Sequence, residues 1–168
     1  MSNTSKIIIW IVGIVSFVGL LAVMISASGN SSDSLAISTD ANPPQIEISP
    51  TSYDWGSIGT DVVEGKVNVK NTGGSDLVIY KISTSCGCTS ASLSVGDEFS
   101  GYRAMDHGSL KRVDMIIHPG EEGTLSVRYD PLFHGQPAVG TIKRSIYLRS
   151  NDPENPEAVA NFQAYYQP

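Results

Sequence analysis

Positive charge is scarce in this chain. Of 168 residues, 11 are Lys or Arg against 17 Asp or Glu, a net charge of −6 with histidine neutral. The basic residues form no run, since Lys111-Arg112 and Lys143-Arg144 are isolated pairs. A nucleic-acid backbone needs a basic patch to neutralise it, so nucleic acid is excluded as a partner. No G-x-S-x-G elbow and no phosphate-cradling glycine loop occurs. The acidic groups Asp97-Glu98, Glu121-Glu122 and Asp152 with Glu154 sit at turns and lack the dense oxygen pattern of a calcium loop. Histidine occurs three times and cysteine twice. Catalysis by a cysteine needs a base beside it and a third group to orient that base, and no acid is placed to orient His107. The chain is therefore read as a non-enzyme.

One long hydrophobic run is present. Ile7 to Ile25 is nineteen residues without a charge. As a helix rising about 1.5 Å per residue it spans roughly the 30 Å of a bilayer core. It has no polar face, so a buried helix of a soluble domain is a poor alternative. Signal-peptide apolar regions are shorter, which favours an uncleaved anchor, although Ser26-Ala27-Ser28 offers small residues at which a peptidase could cut. No cysteine follows the run, which excludes a lipoprotein anchor. Lys6 precedes the span while Asp33 and Asp40 follow it. The positive-inside rule then puts the N-terminus in the cytoplasm and the remainder outside, as a single-pass membrane protein. Residues 1–25 are thus the cytoplasmic tip and transmembrane anchor. Residues 26–44, rich in Ser, Ala, Asn and Asp and ending in Pro43-Pro44, form a flexible linker with a stiff last step.

Residues 45–168 contain no amphipathic helix pattern. Short alternating segments recur between turn signals instead. They are Gln45–Ser49, Tyr53–Ile58, Val63–Asn71, Leu77–Ser83, Val113–Ile117, Thr124–Tyr129, Thr141–Arg149 and Ala158–Tyr166. Tyr53 and Trp55 share a face, and Gly65, Val67 and Val69 alternate with polar neighbours. Leu77, Ile79 and Lys81 fall on one face of their strand, Val78, Tyr80 and Ile82 on the other. With both faces apolar, this strand is expected to be central. Seven or eight strands over about 120 residues predict an all-β sandwich. A disulfide joining the two sheets, of the antibody type, is impossible because Cys86 and Cys88 are neighbours. Asp54, Asn71, Asp130 and Asn151 stand at strand ends, where such side chains bond backbone groups.

Five ordered pieces then carry a resemblance: Tyr53-Asp54-Trp55-Gly56-Ser57-Ile58, Val69-Lys70-Asn71-Thr72-Gly73, Ser85-Cys86-Gly87-Cys88-Thr89, Pro119-Gly120-Glu121 and Ser150-Asn151-Asp152-Pro153. Together they resemble a bacterial immunoglobulin-like domain family of unknown function marked by an S-C-G-C-T motif. The likeness runs from about Pro44 to Tyr166. The family is similar in architecture to major-sperm-protein and PapD-like sandwiches. It implies an immunoglobulin-like β-sandwich, commonly exported, with no established catalytic activity. The stretch Leu93–Val113 is longer than in the shortest members, and a long connection in a compact domain is often functional.

The cysteines leave three chemistries open. Residues two apart in an extended chain point to one side, and Gly87 lets the backbone turn between them, so both sulfurs can reach one point. They can bind a soft metal, close a tight disulfide, or remain free thiols. An oxidising exterior makes the disulfide more plausible than it would be in the cytosol. A redox dithiol with one-residue spacing would close a small strained ring and be oxidising. Thiolate and thioether suit copper(I), and imidazole suits copper or zinc. The candidate metal set is Cys86, Cys88, His107 and His134, with Met105 a loop hydrophobe, Met115 in the core and His118 in a turn. The leading functional expectation is a membrane-tethered extracytoplasmic binding or structural module meeting a protein or another cell-envelope component. The alternative is soft-metal binding, copper or zinc, or thiol redox chemistry at Cys86-Gly87-Cys88.

Overall fold

The computed structural model describes residues 42–108 and 111–168. The proposed anchor and almost all of the linker lie outside the described residues. Among the described residues no helix is long and apolar enough to cross a membrane. They form ten strands: β1 (Ile46–Ser49), β2 (Ser52–Ile58), β3 (Val63–Asn71), β4 (Leu77–Thr84), β5 (Thr89–Val95), β6 (Glu98–Phe99), β7 (Met115–Ile117), β8 (Glu122–Tyr129), β9 (Gly140–Ser150) and β10 (Glu157–Tyr166).

The strands build two five-stranded sheets, ordered β1-β3-β8-β5-β6 and β2-β10-β9-β4-β7. Every pairing is antiparallel except β2 with β10. The all-β sandwich is as expected, and β4 is an interior strand between β9 and β7. At Pro50, after a cis peptide bond, the chain leaves the first sheet as β1 and enters the second as β2.

Two strands exceed the expected seven or eight. β5 reads Thr-Ser-Ala-Ser-Leu-Ser-Val, so serines blur the contrast that alternation depends on. It is buried all the same, with Ala91 and Leu93 fully enclosed. β6 pairs only through Phe99 and Glu98, too short to leave a pattern.

Simple alternation also misplaces Lys81. The β4–β9 ladder shifts register between Ile79 and Lys81. A bulge of this kind reverses which side the following residues face. Ile82 therefore joins Leu77 and Ile79 in the core, while Lys81 pairs with Asp106 of the long loop.

The core lies between the sheets. Val67, Val69, Leu125 and Val127 face Ile79, Ile146, Leu148 and Phe162. Each such side chain contributes about 1.5–3 kcal/mol when fully withdrawn from water. Trp55 of β2 reaches across the sandwich, with its ring centroid 5.0 Å from Phe162 and 5.9 Å from Tyr129 of β8. Gly65 makes room for these aromatics. A Cβ there would lie 2.8 Å from Tyr53 Cε1 and 2.9 Å from Trp55 Nε1.

The two ends of the sandwich differ. Where the chain enters, Ile46 pairs with Asn71 and Leu77 with Ile117. The Asn71 side chain is fully buried; its amide donates to the carbonyls of Ser75 and Ile117, and its oxygen accepts from Gly73 N at 3.0 Å. Asp152, also buried, accepts from Ile46 N at 2.8 Å and from Glu154 N and Asn155 N. Asn151 accepts from Val78 N and donates to Asp76 O. The Val-Lys-Asn-Thr-Gly and Ser-Asn-Asp-Pro pieces are thus backbone clamps at strand ends, as expected for Asn71 and Asn151. At the far end lie the β2–β3, β4–β5 and β8–β9 connections and the last residues of β10.

Candidate functional site

The turn joining β4 to β5 is also the hand-over from one sheet to the other, and it holds both cysteines. Backbone bonds fix it on every side. Ser85 N donates to Ser145 O, Thr89 N to Cys86 O at 3.1 Å, and Asp130 N to Cys88 O at 2.9 Å. The Thr84 hydroxyl bonds the carbonyls of Cys86 and Thr89. Gly87 does not use a left-handed φ. A methyl there would lie in ordinary contact with Phe133 Cε1, at 3.4 Å.

Cys86 and Cys88 are joined as a disulfide. This selects one of the three chemistries open from the sequence, and both sulfurs do point to one side. The two cysteines are not equivalent. Cys88 is 5% exposed and belongs to a small apolar cluster with Ile58, Tyr129, Ile142 and Tyr166, whereas Cys86 is half-buried at its edge. Arg144 Nε donates to Cys88 Sγ at 3.2 Å. Its guanidinium also lies 5.1 Å from the Tyr129 ring centre and donates through Nη1 to Lys143 O. Burial pushes the Tyr129 hydroxyl above its ordinary range, with Arg144 pulling the other way. On the other side, His134 Nε2 is 3.7 Å from Cys86 Sγ.

Of the four candidate ligands, the structure brings three together. One donor atom each from Cys86, Cys88 and His134 lies within 4.8 Å of the others. His107 stands outside this group. It is exposed in the long loop and lines a separate cavity of about 330 Å³ with Lys81, Met105, Asp106 and Lys111. The long loop packs along β4 and β5, through the Lys81–Asp106 pair and the Ala91–Arg103 bridge. That course draws His107 away from the cysteine turn. Met115 is buried and His118 exposed, as expected.

Two residues of this site were missed by sequence reasoning. Arg144 had a signal, because it alternates between Ile142 and Ile146 on an inward-facing register. A cation in that position needs a partner. Phe133 stands beside His134, 57% exposed, and its ring meets the histidine edge-on at 4.8 Å. With Val62, Gly87, Thr89 and Arg128 it borders a shallow depression of about 300 Å³ next to Cys88. Val62 and Leu132 are likewise exposed.

Residues 46–96 match a family described as a protein of unknown function, DUF1573. That stretch runs from β1 through the cysteine turn to the end of β5. No curated protein matches the chain. Among solved structures, a protein of unknown function from Porphyromonas gingivalis superposes with a TM-score of 0.55 at 19% identity, over 73% of this chain and 46% of that one. The chain therefore spans less than half of that protein, and the likeness is one of fold. Looser likenesses are PapD-like domain 7 of human CEP192 (TM-score 0.40, 13% identity, 73% and 83% of the two chains) and the N-terminal domain of PorA (0.42, 16%, 73% and 98%). The family match covers under a third of the chain, and what the solved structure shares with it is the two-sheet β-sandwich.

Proposed function

We propose that this chain is a membrane-tethered binding module outside the cytoplasm, anchored by Ile7–Ile25 as a single-pass protein. It docks a protein or another cell-envelope component. One observation carries the reading. The linker joins the sandwich at the end clamped by Asn71 and Asp152, while Val62, Leu132 and Phe133 are exposed at the opposite end. Apolar side chains held on loops of a rigid scaffold, away from the attachment point, suit partner contact. Sheet-edge addition at β10 is less favoured. β10 is covered by β2, and Phe162 and Tyr166 are buried, which leaves Tyr165 as the exposed aromatic of that strand.

The test is made in intact cells. A reporter active only outside the cytoplasm, fused after Pro168, should be active. A photo-crosslinking residue at Phe133 should capture one discrete partner, and the same residue at Phe99 should not. A silent reporter, or equal capture at both positions, would overturn the reading.

A second reading rests on the Cys86, Cys88 and His134 cluster. Once the disulfide is reduced, two thiolates and an imidazole form a three-coordinate set suited to copper(I). Metal analysis after reduction decides it. Unchanged copper content on Cys86→Ser would remove this reading.

A further inference from the structure

We infer that Cys86–Cys88 is a thiol–disulfide exchange centre, in which Cys86 is the sulfur that meets a partner thiol and Cys88 the sulfur that leaves. This goes beyond the binding-module reading and does not depend on it. Exchange proceeds by in-line attack of a thiolate on one sulfur, so access and the stability of the departing thiolate decide which bond breaks. Access separates the two cysteines here. Cys88 is buried against Tyr129 and Ile142, whereas Cys86 is half-buried at the margin of that cluster, beside the exposed His134. Stabilisation of the leaving group separates them the same way. The Arg144 N–H points at Cys88 Sγ from 3.2 Å, and a cationic donor at a sulfur favours the thiolate. Cys86 instead has His134 Nε2 at 3.7 Å.

The substrate is a dithiol, most simply a pair of cysteines in another exported protein. One donor thiolate attacks Cys86 Sγ. The Cys86–Cys88 bond breaks, a mixed disulfide forms at Cys86, and Cys88 departs as a thiolate held by Arg144. The donor's second thiolate then attacks its own partner sulfur in the mixed disulfide. Cys86 departs and is protonated beside His134. Two electrons have passed from the donor to Cys86 and Cys88, Cys86 has taken up one proton from its surroundings while Cys88 stays a thiolate, and the donor leaves as a disulfide. Running backwards, the same steps let the reduced pair open a disulfide in a partner. The turn can serve both oxidation states because bonds to Ser145, Asp130 and the Thr84 hydroxyl fix its backbone independently of the S–S bond, and the Cys88 N–H to Cys86 Sγ contact needs only the sulfur.

The experiment uses the full chain in detergent, with glutathione and dithiothreitol as probes. Limited reduced glutathione is added to the oxidised protein, the reaction is acid-quenched, and the modified sulfur is located by mass spectrometry. Glutathione should be found on Cys86. In the single-cysteine variants, Cys88→Ser should form a mixed disulfide with oxidised glutathione at least about tenfold faster than Cys86→Ser. Arg144→Gln should slow reduction by dithiothreitol about tenfold, with Arg144→Lys recovering part of the rate. Glutathione on Cys88, equal rates in the two variants, or a disulfide that resists dithiothreitol until tryptophan fluorescence reports unfolding would each overturn the inference. The mapping on the unmutated chain stands even if a serine variant fails to fold. Loss of exchange with retained crosslinking at Phe133 would sink this inference and leave the binding module intact.

Discussion

The two ends of this sandwich solve opposite problems. At the entry end, backbone donors and carbonyls freed by strand termini are taken up by buried side chains of Asn71, Asn151 and Asp152. Nearly every polar atom there has a structural task, and the Gly73 backbone sits so close to the incoming chain that a Cβ would lie 2.2 Å from Pro43 O. At the cysteine end, backbone bonds hold the turn, with Cys86 Sγ accepting only from Cys88 N within it, while the His134 and Phe133 side chains meet Cys86 and each other. Side chains hold the entry end and mostly backbone bonds hold the cysteine end, which leaves His134 and the exposed apolar Val62, Leu132 and Phe133 available there.

The widest test of that contrast is Asn71→Ala. It orphans the Ser75 and Ile117 carbonyls and the Gly73 amide, and should cost about 2–4 kcal/mol in denaturant unfolding of the full chain. A loss below about 1 kcal/mol would mean that water replaces the clamp. Next comes Gly73→Ala, expected to cost about 1–3 kcal/mol by forcing Pro43 and Gln45 aside, read in the same assay. At the other end, Cys86→Ser with Cys88→Ser should cost less than Asn71→Ala, about 1–2 kcal/mol, because a crosslink enclosing one residue restrains the unfolded chain little. If the cysteine pair matters more to stability than Asn71, the division of labour between the ends is wrong.

The smallest effect is a pH dependence at the entry end. The hydrogen bond that His118 Nδ1 donates to Asp76 Oδ1 at 2.8 Å, reinforced by the carboxylate's charge, raises the His118 pKa above its ordinary value of 6.5. The folded state then holds that proton more tightly than the unfolded state. Its stabilisation is complete below pH 6.5 and fades as pH climbs through the raised folded value. The pair is fully at the surface, so the shift in melting temperature should be slight, and it should vanish in Asp76→Asn. A dependence of the opposite sign would show that a different group dominates.

Much of this was legible in the chain itself. Alternation in Val63–Asn71, Thr124–Tyr129 and Ala158–Tyr166 identified the inward faces, because a strand's period of two is insensitive to its surroundings. The strand-end role of Asp130 was legible too, since it accepts from Leu132 N just past β8, whereas Asp54 accepts from Gly56 N inside β2 rather than at a strand end. β5 was not, because small residues bury without looking apolar. Lys81 was misplaced because a bulge leaves no trace in residue type. At the site, the cysteine spacing announced itself, and His134 lies beside the pair. His107 lies outside the group the fold assembles, and its place was not legible because the course of a long loop depends on distant contacts such as Lys81 with Asp106. Arg144 was in view on an inward register, and only the fold reveals that its partner is sulfur.

One consequence of the short spacing between Cys86 and Cys88 concerns signalling rather than strength. A bridge that encloses a single glycine ties no strand to any other, so opening it releases nothing beyond its own loop. Electrons can enter or leave that corner while both sheets keep their shape. Any message the sulfur pair carries must therefore be read by whatever touches the corner directly.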